Sequence, residues 1–227
     1  MALSWTMDKI GPMCRCAEDC AIVFNAIYGP DLKDKSVLEV PFNWDATADV
    51  SKLRVGYLRE PDNDVLEVIQ SLGIKPKQVK LPEMPTRSIG FILSTESAAA
   101  FDELFRSGRD NTMREQPERS SWPNTFRQYR FVPAVEYIQA NRARTQLIEK
   151  FNKFFEEQEI DMFLGSSLSL TNLTGHPEIS MPYGFNEEGM PNSVQITGRL
   201  FGEAEILLLA HGIQSKTDYH LRHPNLA

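Results

Sequence analysis

Cysteine is scarce in this chain: 3 in 227 residues, at positions 14, 16 and 20. An odd number bunched in one stretch builds no disulfide framework and points to a reducing compartment. Positive charge is short as well. Lys and Arg total 24 against 31 Asp and Glu, a net charge of −7. A nucleic-acid binder needs a basic face, and the overall field here opposes one. Long apolar runs are missing. Ile206-Leu207-Leu208-Leu209-Ala210 is the greasiest stretch, far below the roughly 18 residues that span a bilayer. The opening residues have no basic leader, and Asp8-Lys9 interrupts any apolar core, so no signal peptide is expected. The motifs G-x-S-x-G, H-E-x-x-H and C-x-x-C and a Gly-rich phosphate loop are all absent. The expectation is a cytoplasmic protein with no membrane span and no nucleic-acid partner.

What is present is an ordinary globular balance, 41% apolar and 24% charged, which excludes a disordered or fibrous chain. A chain of this length buries roughly 70% of its unfolded surface and needs no staples to fold. No internal repeat or low-complexity linker divides it, so residues 1–227 read as a single domain. Residues 15–28 predict a helix. Cys20, Phe24 and Ile27 form its inward stripe, Ala17, Ala21 and Val23 widen it, and Gly29-Pro30 stops it. A strand is expected at 53–58, a short helix at 64–72 and a second strand at 78–81. Ser94 caps a helix to Ser107, and Pro133 opens a long one to about residue 158. The long helix carries a stripe of Ala140, Leu147, Phe151, Phe154 and Phe155. Strands follow at 160–164, 178–185 and 192–197, then a last helix at 203–216 with Ile206, Leu209, Ala210 and Ile213 inward. Helices interspersed with short strands argue an α/β fold, a mixed β-sheet covered by helices.

The candidate chemical groups each have a plain reading beside the functional one. Cys14, Cys16 and Cys20 lack a fourth ligand at workable spacing, and Cys16 and Cys20 sit one helical turn apart, so they read as packing rather than metal ligands. His220 and His223 have no carboxylate cluster with them and read as a solvated tail; His211 reads as a boundary histidine on the last helix. Residues 109–131 interleave Arg109, Arg114, Arg119, Arg127 and Arg130 with Trp122, Phe126, Tyr129 and Phe131, the pairing that holds single-stranded RNA. Asp110, Glu115 and Glu118 stand among them, and Pro117 and Pro123 mark a surface loop, which is the favoured reading. Glu156, Glu157, Glu159 and Asp161 read as the wet end of a helix. Ser166 and Ser167 follow a strand, but no Lys or His accompanies them, so they read as a polar strand exit rather than nucleophiles.

Two stretches resemble the amidase signature family. The first is Ser4-Trp5-Thr6-Met7-Asp8-Lys9-Ile10-Gly11-Pro12-Met13-Cys14-Arg15 with the helix that follows it to Asp31. It is similar to the family's segment just downstream of the catalytic core. The second runs from Leu170-Thr171-Asn172-Leu173-Thr174-Gly175-His176-Pro177 through Met181-Pro182-Tyr183-Gly184 and Gly189-Met190-Pro191 into the last helix. It is similar to the family's C-terminal half, and Lys52 to Leu58 fits the strand met between the two. Residues from about 84 to 158 match only in helical character.

The resemblance implies the C-terminal part of an amidase-signature-like fold, from an enzyme that cleaves carboxylic amides of small molecules through a serine nucleophile. It implies no metal and no organic cofactor. The family's Lys–Ser–Ser triad lies in an N-terminal half, and no position of this chain matches any of the three, so no catalytic residue is carried over. Family members also carry a longer linker between the strand at Ile160 and the Asn172 loop. Within the second stretch, Gly175 lets the backbone turn and Pro177 holds His176 extended. Asn172, Thr174, Gly175 and His176 are the candidate rim of a substrate pocket; the plain reading is a sheet corner whose polar side chains only satisfy backbone groups. The alternatives are a non-catalytic binding module, or one half of a split amidase with an N-terminal partner half. Self-association through uncovered surface, or a need for an N-terminal amidase half, is expected of such a fragment, whereas a compact monomer would favour the stand-alone module.

Overall fold

The structure is a computed structural model that describes residues 2–61, 64–114 and 121–222. Helices form at α1 (Ala17–Ile27), α2 (Val65–Ser71), α3 (Thr86–Ile89), α4 (Phe91–Ala100), α5 (Asp102–Arg106), α6 (Trp122–Gln128), α7 (Ala134–Glu157), α8 (Leu168–Thr174) and α9 (Glu203–Gln214). Strands form at β1 (Val55–Tyr57), β2 (Lys77–Gln78), β3 (Met162–Leu164), β4 (Glu178–Phe185) and β5 (Pro191–Gly198). The fold is α/β with a mixed sheet, as the sequence implies.

The chain divides into two compact units where the sequence reading expects one domain. The first is Met1–Lys9, Glu83–Phe151 and Leu168–Gly175; the second is Ile10–Pro82, Asn152–Ser167 and His176–Ala227. Neither is continuous in sequence, and one boundary falls inside α7, which is why no linker or change of composition marks them.

The second unit holds the sheet, ordered β2-β1-β3-β5-β4. β1 pairs parallel with β2 and β3, and β5 pairs antiparallel with β3 and β4. Side chains alternate across a strand, and β3 uses both faces. Met162 and Leu164 join a core of Val55, Ile196 and Met181 with Ile69 of α2 and Ile206, Leu209 and Ile213 of α9. Phe163 meets Phe154 and Phe155 at the end of α7, with ring centroids 5.9 Å away in both cases.

α1 packs on α9, but with a different stripe from the expected one. Ala17 and Ala21 are buried, Cys20 and Phe24 are half-buried, and Val23 and Ile27, expected inward, are exposed. The alanines let the two helix backbones approach closely, which turns the larger side chains away from α9.

The first unit is helical. The helix expected at 94–107 is broken at Phe101 (φ −104°, ψ 21°) into α4 and α5, and the Phe101 ring stacks on Phe126 at 4.8 Å. Glu96 on α4 is buried and collects hydrogen bonds from the N-terminal segment. Ser4 Oγ donates to Glu96 Oε2 at 2.6 Å, Thr6 N to the same oxygen at 3.0 Å, and Thr6 Oγ1 and Tyr137 Oη to Oε1 at 2.7 and 2.8 Å. Arg144 of α7 completes the latch, donating to the Thr6 carbonyl at 2.6 Å and to Leu173 O at 2.5 Å.

Burial alone raises the Glu96 pKa, but the bonds from Ser4, Thr6 and Tyr137 outweigh it and hold the carboxyl below the usual carboxylate range. The folded pKa is thus below the unfolded one of about 4.3. The stabilisation is complete above that unfolded value and is lost as pH falls through the folded one. Glu96→Gln is expected to cost roughly 1–3 kcal/mol near neutral pH. Chemical denaturation across pH should show the parent losing more stability than the variant on acidification. Parallel pH curves for the two would contradict the assignment.

Candidate functional site

β1 and β3 end side by side, with Tyr57 opposite Leu164. The chain leaving β1 returns as β2 on one side of the pair, and the chain leaving β3 returns as β4 and β5 on the other. In an open α/β sheet, ligands bind outside the carboxyl ends of the strands where the connections diverge. A cleft of about 430 Å³ lies at that point, within the second unit.

Its geometry is set by the exit of β3. Leu58 N donates to Leu164 O at 3.2 Å and Gly165 N to Gln195 O at 2.9 Å. Thr197 Oγ1 donates to Gly165 O at 2.9 Å. Gly165 stands at φ +132°, and a Cβ there would meet Leu58 Cδ1 at 3.0 Å. A side chain fits neither the backbone angle nor the space.

Leu58, Val65, Leu164 and Val194 supply the apolar lining, and Arg59, Ser166, Ser193 and Gln195 the polar one. Ser166 Oγ donates to Glu178 Oε1 at 2.7 Å. Gln195 Nε2 donates to Ser193 Oγ at 2.7 Å. Neither lysine nor histidine is among the described lining residues. The cleft offers a guanidinium, hydroxyls and an amide, groups that orient a small polar molecule rather than activate a nucleophile.

The expected rim residues are placed differently. Asn172 and Thr174 lie on α8, where the sequence reading has a loop. The helix forms because Leu170 and Leu173 bury one face and the threonines satisfy themselves locally. Thr174 Oγ1 donates to Leu170 O at 2.8 Å, and Thr171 Oγ1 to Leu168 O at 3.3 Å. Thr174 is buried, while Asn172 is half-buried and Gly175 exposed. Gly175 does turn the chain, at φ +78°, as the residue that stops α8. Asn172, Thr174 and Gly175 belong to the first unit and His176 to the second. His176 is 0% exposed, its ring stacked on Phe155 with centroids 5.5 Å apart. None of the four lines the cleft at the end of β3.

The other candidates are absorbed by packing. Cys16 caps α1, its Sγ accepting from Asp19 N at 3.4 Å. Burial, with Cys14 alongside, pushes the Cys20 thiol up to about 11, so it stays protonated and unreactive at neutral pH. Among the described residues no group of three or more His, Cys, Asp or Glu is arranged to hold a metal ion. His211 meets Trp44 edge to face at 6.1 Å, and the His220 carbonyl accepts from Arg15; His223 lies outside the described residues.

In the Arg–aromatic stretch, Arg119 and residues 115–118 also lie outside the described residues. Arg127 pairs with buried Asp110 at 2.6 Å, and Arg130 pairs with Asp102 and covers the Phe105 ring at 4.5 Å. Those arginines and rings serve one another. Of the acidic run, Asp161 binds Arg54 at 2.6 Å while Glu156, Glu157 and Glu159 are exposed. Sequence reasoning misses Arg59, Ser193 and Gln195, which carry no motif. It also misses Glu96, whose signal is a single charge in an otherwise uncharged helix.

The family model described as Amidase matches residues 1–170. The chain belongs to the amidase family. A glutamyl-tRNA(Gln) amidotransferase subunit from Desulfatibacillum aliphaticivorans is 27% identical over 285 residues, covering 100% of this chain and 58% of the relative. The aligned length exceeds the 227 residues of this chain, so the relative carries insertions within the shared region. The peptide amidase from Stenotrophomonas maltophilia superposes with a TM-score of 0.74 at 18% identity, covering 98% of this chain and 56% of that one. An amidase family protein from Bacillus anthracis str. Ames does so at 0.76 and 19%, covering 100% and 51%. Identities this low speak for the fold alone. The amidase-family chain spans less than three-fifths of the length of these relatives.

The glycine at the exit of β3 gives the site its sharpest test. Gly165→Ala is expected to destabilise the chain by about 1–3 kcal/mol through the forced backbone angle, with the Leu58 contact adding to it. Gly11→Ala, where a Cβ meets nothing within 4 Å, serves as the neutral control in the same urea titration. Equal midpoints for the two variants would refute this account of the exit.

Proposed function

We propose that this chain is the C-terminal portion of an amidase-family hydrolase acting on carboxylic amides, with the serine nucleophile located outside the chain. The observation that carries the reading is the family match over residues 1–170 combined with the lack of any position matching the Lys–Ser–Ser triad. In the complete enzyme the serine attacks the amide carbonyl and the amine leaves with a proton; water then releases the acid and restores the serine. This chain's contribution is binding. Arg59, Ser166, Ser193 and Gln195 orient the substrate at the carboxyl ends of β1 and β3. A partner that carries the N-terminal half fits this reading, as does the name of the amidotransferase relative, one component of a larger enzyme. The free thiols of Cys14, Cys16 and Cys20 support a reducing compartment, the cytoplasm.

A second reading, a non-catalytic binding module, is favoured by one observation: the cleft at the end of β3 is built from residues of a single unit. Both readings predict that the isolated chain hydrolyses no amide. Purified chain incubated with a panel of aliphatic and aryl amides should release no ammonia or amine above buffer. Turnover that disappears in a Ser166→Ala, Ser167→Ala variant would overturn the placement of the nucleophile outside the chain.

A further inference from the structure

β5 runs antiparallel to β3, so its last residue, Gly198, lies beside Met162, at the opposite end of the sheet from the cleft where β3 stops. A second recess, of about 270 Å³, opens there within the second unit. Trp44 and Phe201 line it, with Pro41, Ala48, Ala204 and Leu208 completing its apolar surface. The Trp44 ring meets His211 edge to face. Its Nε1 is buried and has no hydrogen-bond partner among the described residues. Tryptophan usually places its N–H on an acceptor when buried, because a buried donor left unmatched costs its full desolvation.

Phe201 is the second anomaly of this recess. Gly202 N donates to Arg199 O at 3.0 Å, which closes a turn across Leu200 and Phe201. Phe201 takes the third position of that turn at φ +59°, where glycine or asparagine is the ordinary choice because a larger side chain is strained. Burial does not offset the strain, since Phe201 is 48% exposed. A bulky residue held in a strained backbone and left half in water points to a ligand contact rather than to core packing. The charges around the recess are already engaged. Arg199 pairs with Glu205, and Asp45 Oδ1 accepts from Thr47 N and Oγ1 at 2.8 and 2.7 Å. Two aromatic rings, one indole N–H and the Asn43 carboxamide, which can both donate and accept, are left to meet a ligand.

We propose that this recess is a binding site for a small, uncharged aryl amide. The aryl ring rests against Phe201 and Trp44, the carbonyl accepts from Trp44 Nε1, and the amide N–H donates to Asn43. A carboxylate would sit beside Asp45 and Glu205 in a chain of net charge −7, and an ammonium brings no acceptor for the indole N–H. The volume lies at the low end for ligand pockets, which limits the occupant to a single ring with a short substituent. The site is separate from the cleft at the end of β3 and does not depend on where the nucleophile lies.

The test uses the full chain with nitrogen-15 tryptophan, whose three indole N–H resonances come from Trp5, Trp44 and Trp122. The Trp44 resonance is the one lost in Trp44→Phe. Benzamide should move it downfield and saturate with a dissociation constant of about 1 mM or below, the range open to so small a ligand. Benzoate and benzylamine should bind at least about tenfold more weakly, as unmatched charges do. Phe201→Gly should weaken benzamide at least about tenfold, as the loss of an aromatic anchor does. Its melting temperature should hold or rise, because glycine takes the positive φ without strain. Asn43→Ala, at an exposed position, should weaken benzamide about fivefold, the worth of one hydrogen bond. It should leave acetophenone, which has the carbonyl but no N–H, unchanged. A Trp44 resonance that ignores benzamide, a response that survives Phe201→Gly undiminished, or equal binding of benzoate would overturn the proposal. A fall in melting temperature with unchanged affinity in Phe201→Gly would assign that ring to packing and overturn it as well.

Discussion

β3 is three residues long and serves two partners of opposite sense, β1 in parallel and β5 antiparallel. Parallel pairing has no hairpin to fix its register, and the chain between β1 and β3 runs through much of the first unit. The register is fixed instead by Arg54 and Asp161, the residues just before each strand. Arg54 N donates to Asp161 Oδ2 at 2.9 Å, the Arg54 guanidinium reaches Asp161 Oδ1 at 2.6 Å, and Asp161 N returns a bond to Arg54 O at 2.8 Å. Burial works to raise the Asp161 pKa, but the bonds and charge of Arg54, with Arg199 nearby, hold it below the ordinary range. With that end clamped, β1 and β3 run in step to Tyr57 and Leu164, and the cleft opens where they stop.

The carboxylates of Glu96 and Asp161 follow one rule. A buried charge persists only where donors replace its lost water. Asp161 draws them from the guanidinium and the backbone N–H of Arg54, and so locks a register. Glu96 draws them from hydroxyls and an amide spread over the N-terminal segment and α7, and so locks a segment. In each case the group is spent on architecture, which makes it unsuitable as an acid or base in turnover.

How much of this is legible in the sequence differs by element. α7, α9 and the β4–β5 hairpin are readable because their apolar residues recur at one period for long enough to mark a face, and the inward stripes of α7 and α9 are those expected. α8 is not readable. Its seven residues carry Thr and Asn, which favour loops, and only the Leu170–Leu173 spacing before Gly175 points to a helix. The direction of α1 is missed because hydrophobicity alone predicts that Ile and Val go inward, whereas close helix packing selects alanine. The family is legible from motifs carried by glycine and proline, which record backbone shape. The cleft is not, because Arg59, Ser166 and Gln195 come from three separate elements and meet only once the register is set.

That register also decides what Ser166 can be. Its hydroxyl donates to Glu178, so any attack through Ser166 would hand its proton to that carboxylate. The nucleophilic serines of hydrolases are activated by an adjacent base of a stronger kind. Hydrogen-bonded to Glu178 and set between Gly165 and the β5 residues Ser193 and Gln195, Ser166 is instead held in one orientation with its oxygen lone pairs still able to accept. That geometry leaves Ser166 able to accept a hydrogen bond from a polar N–H. The exit of β3 thus presents fixed hydrogen-bonding groups at the point where the connections of the sheet diverge.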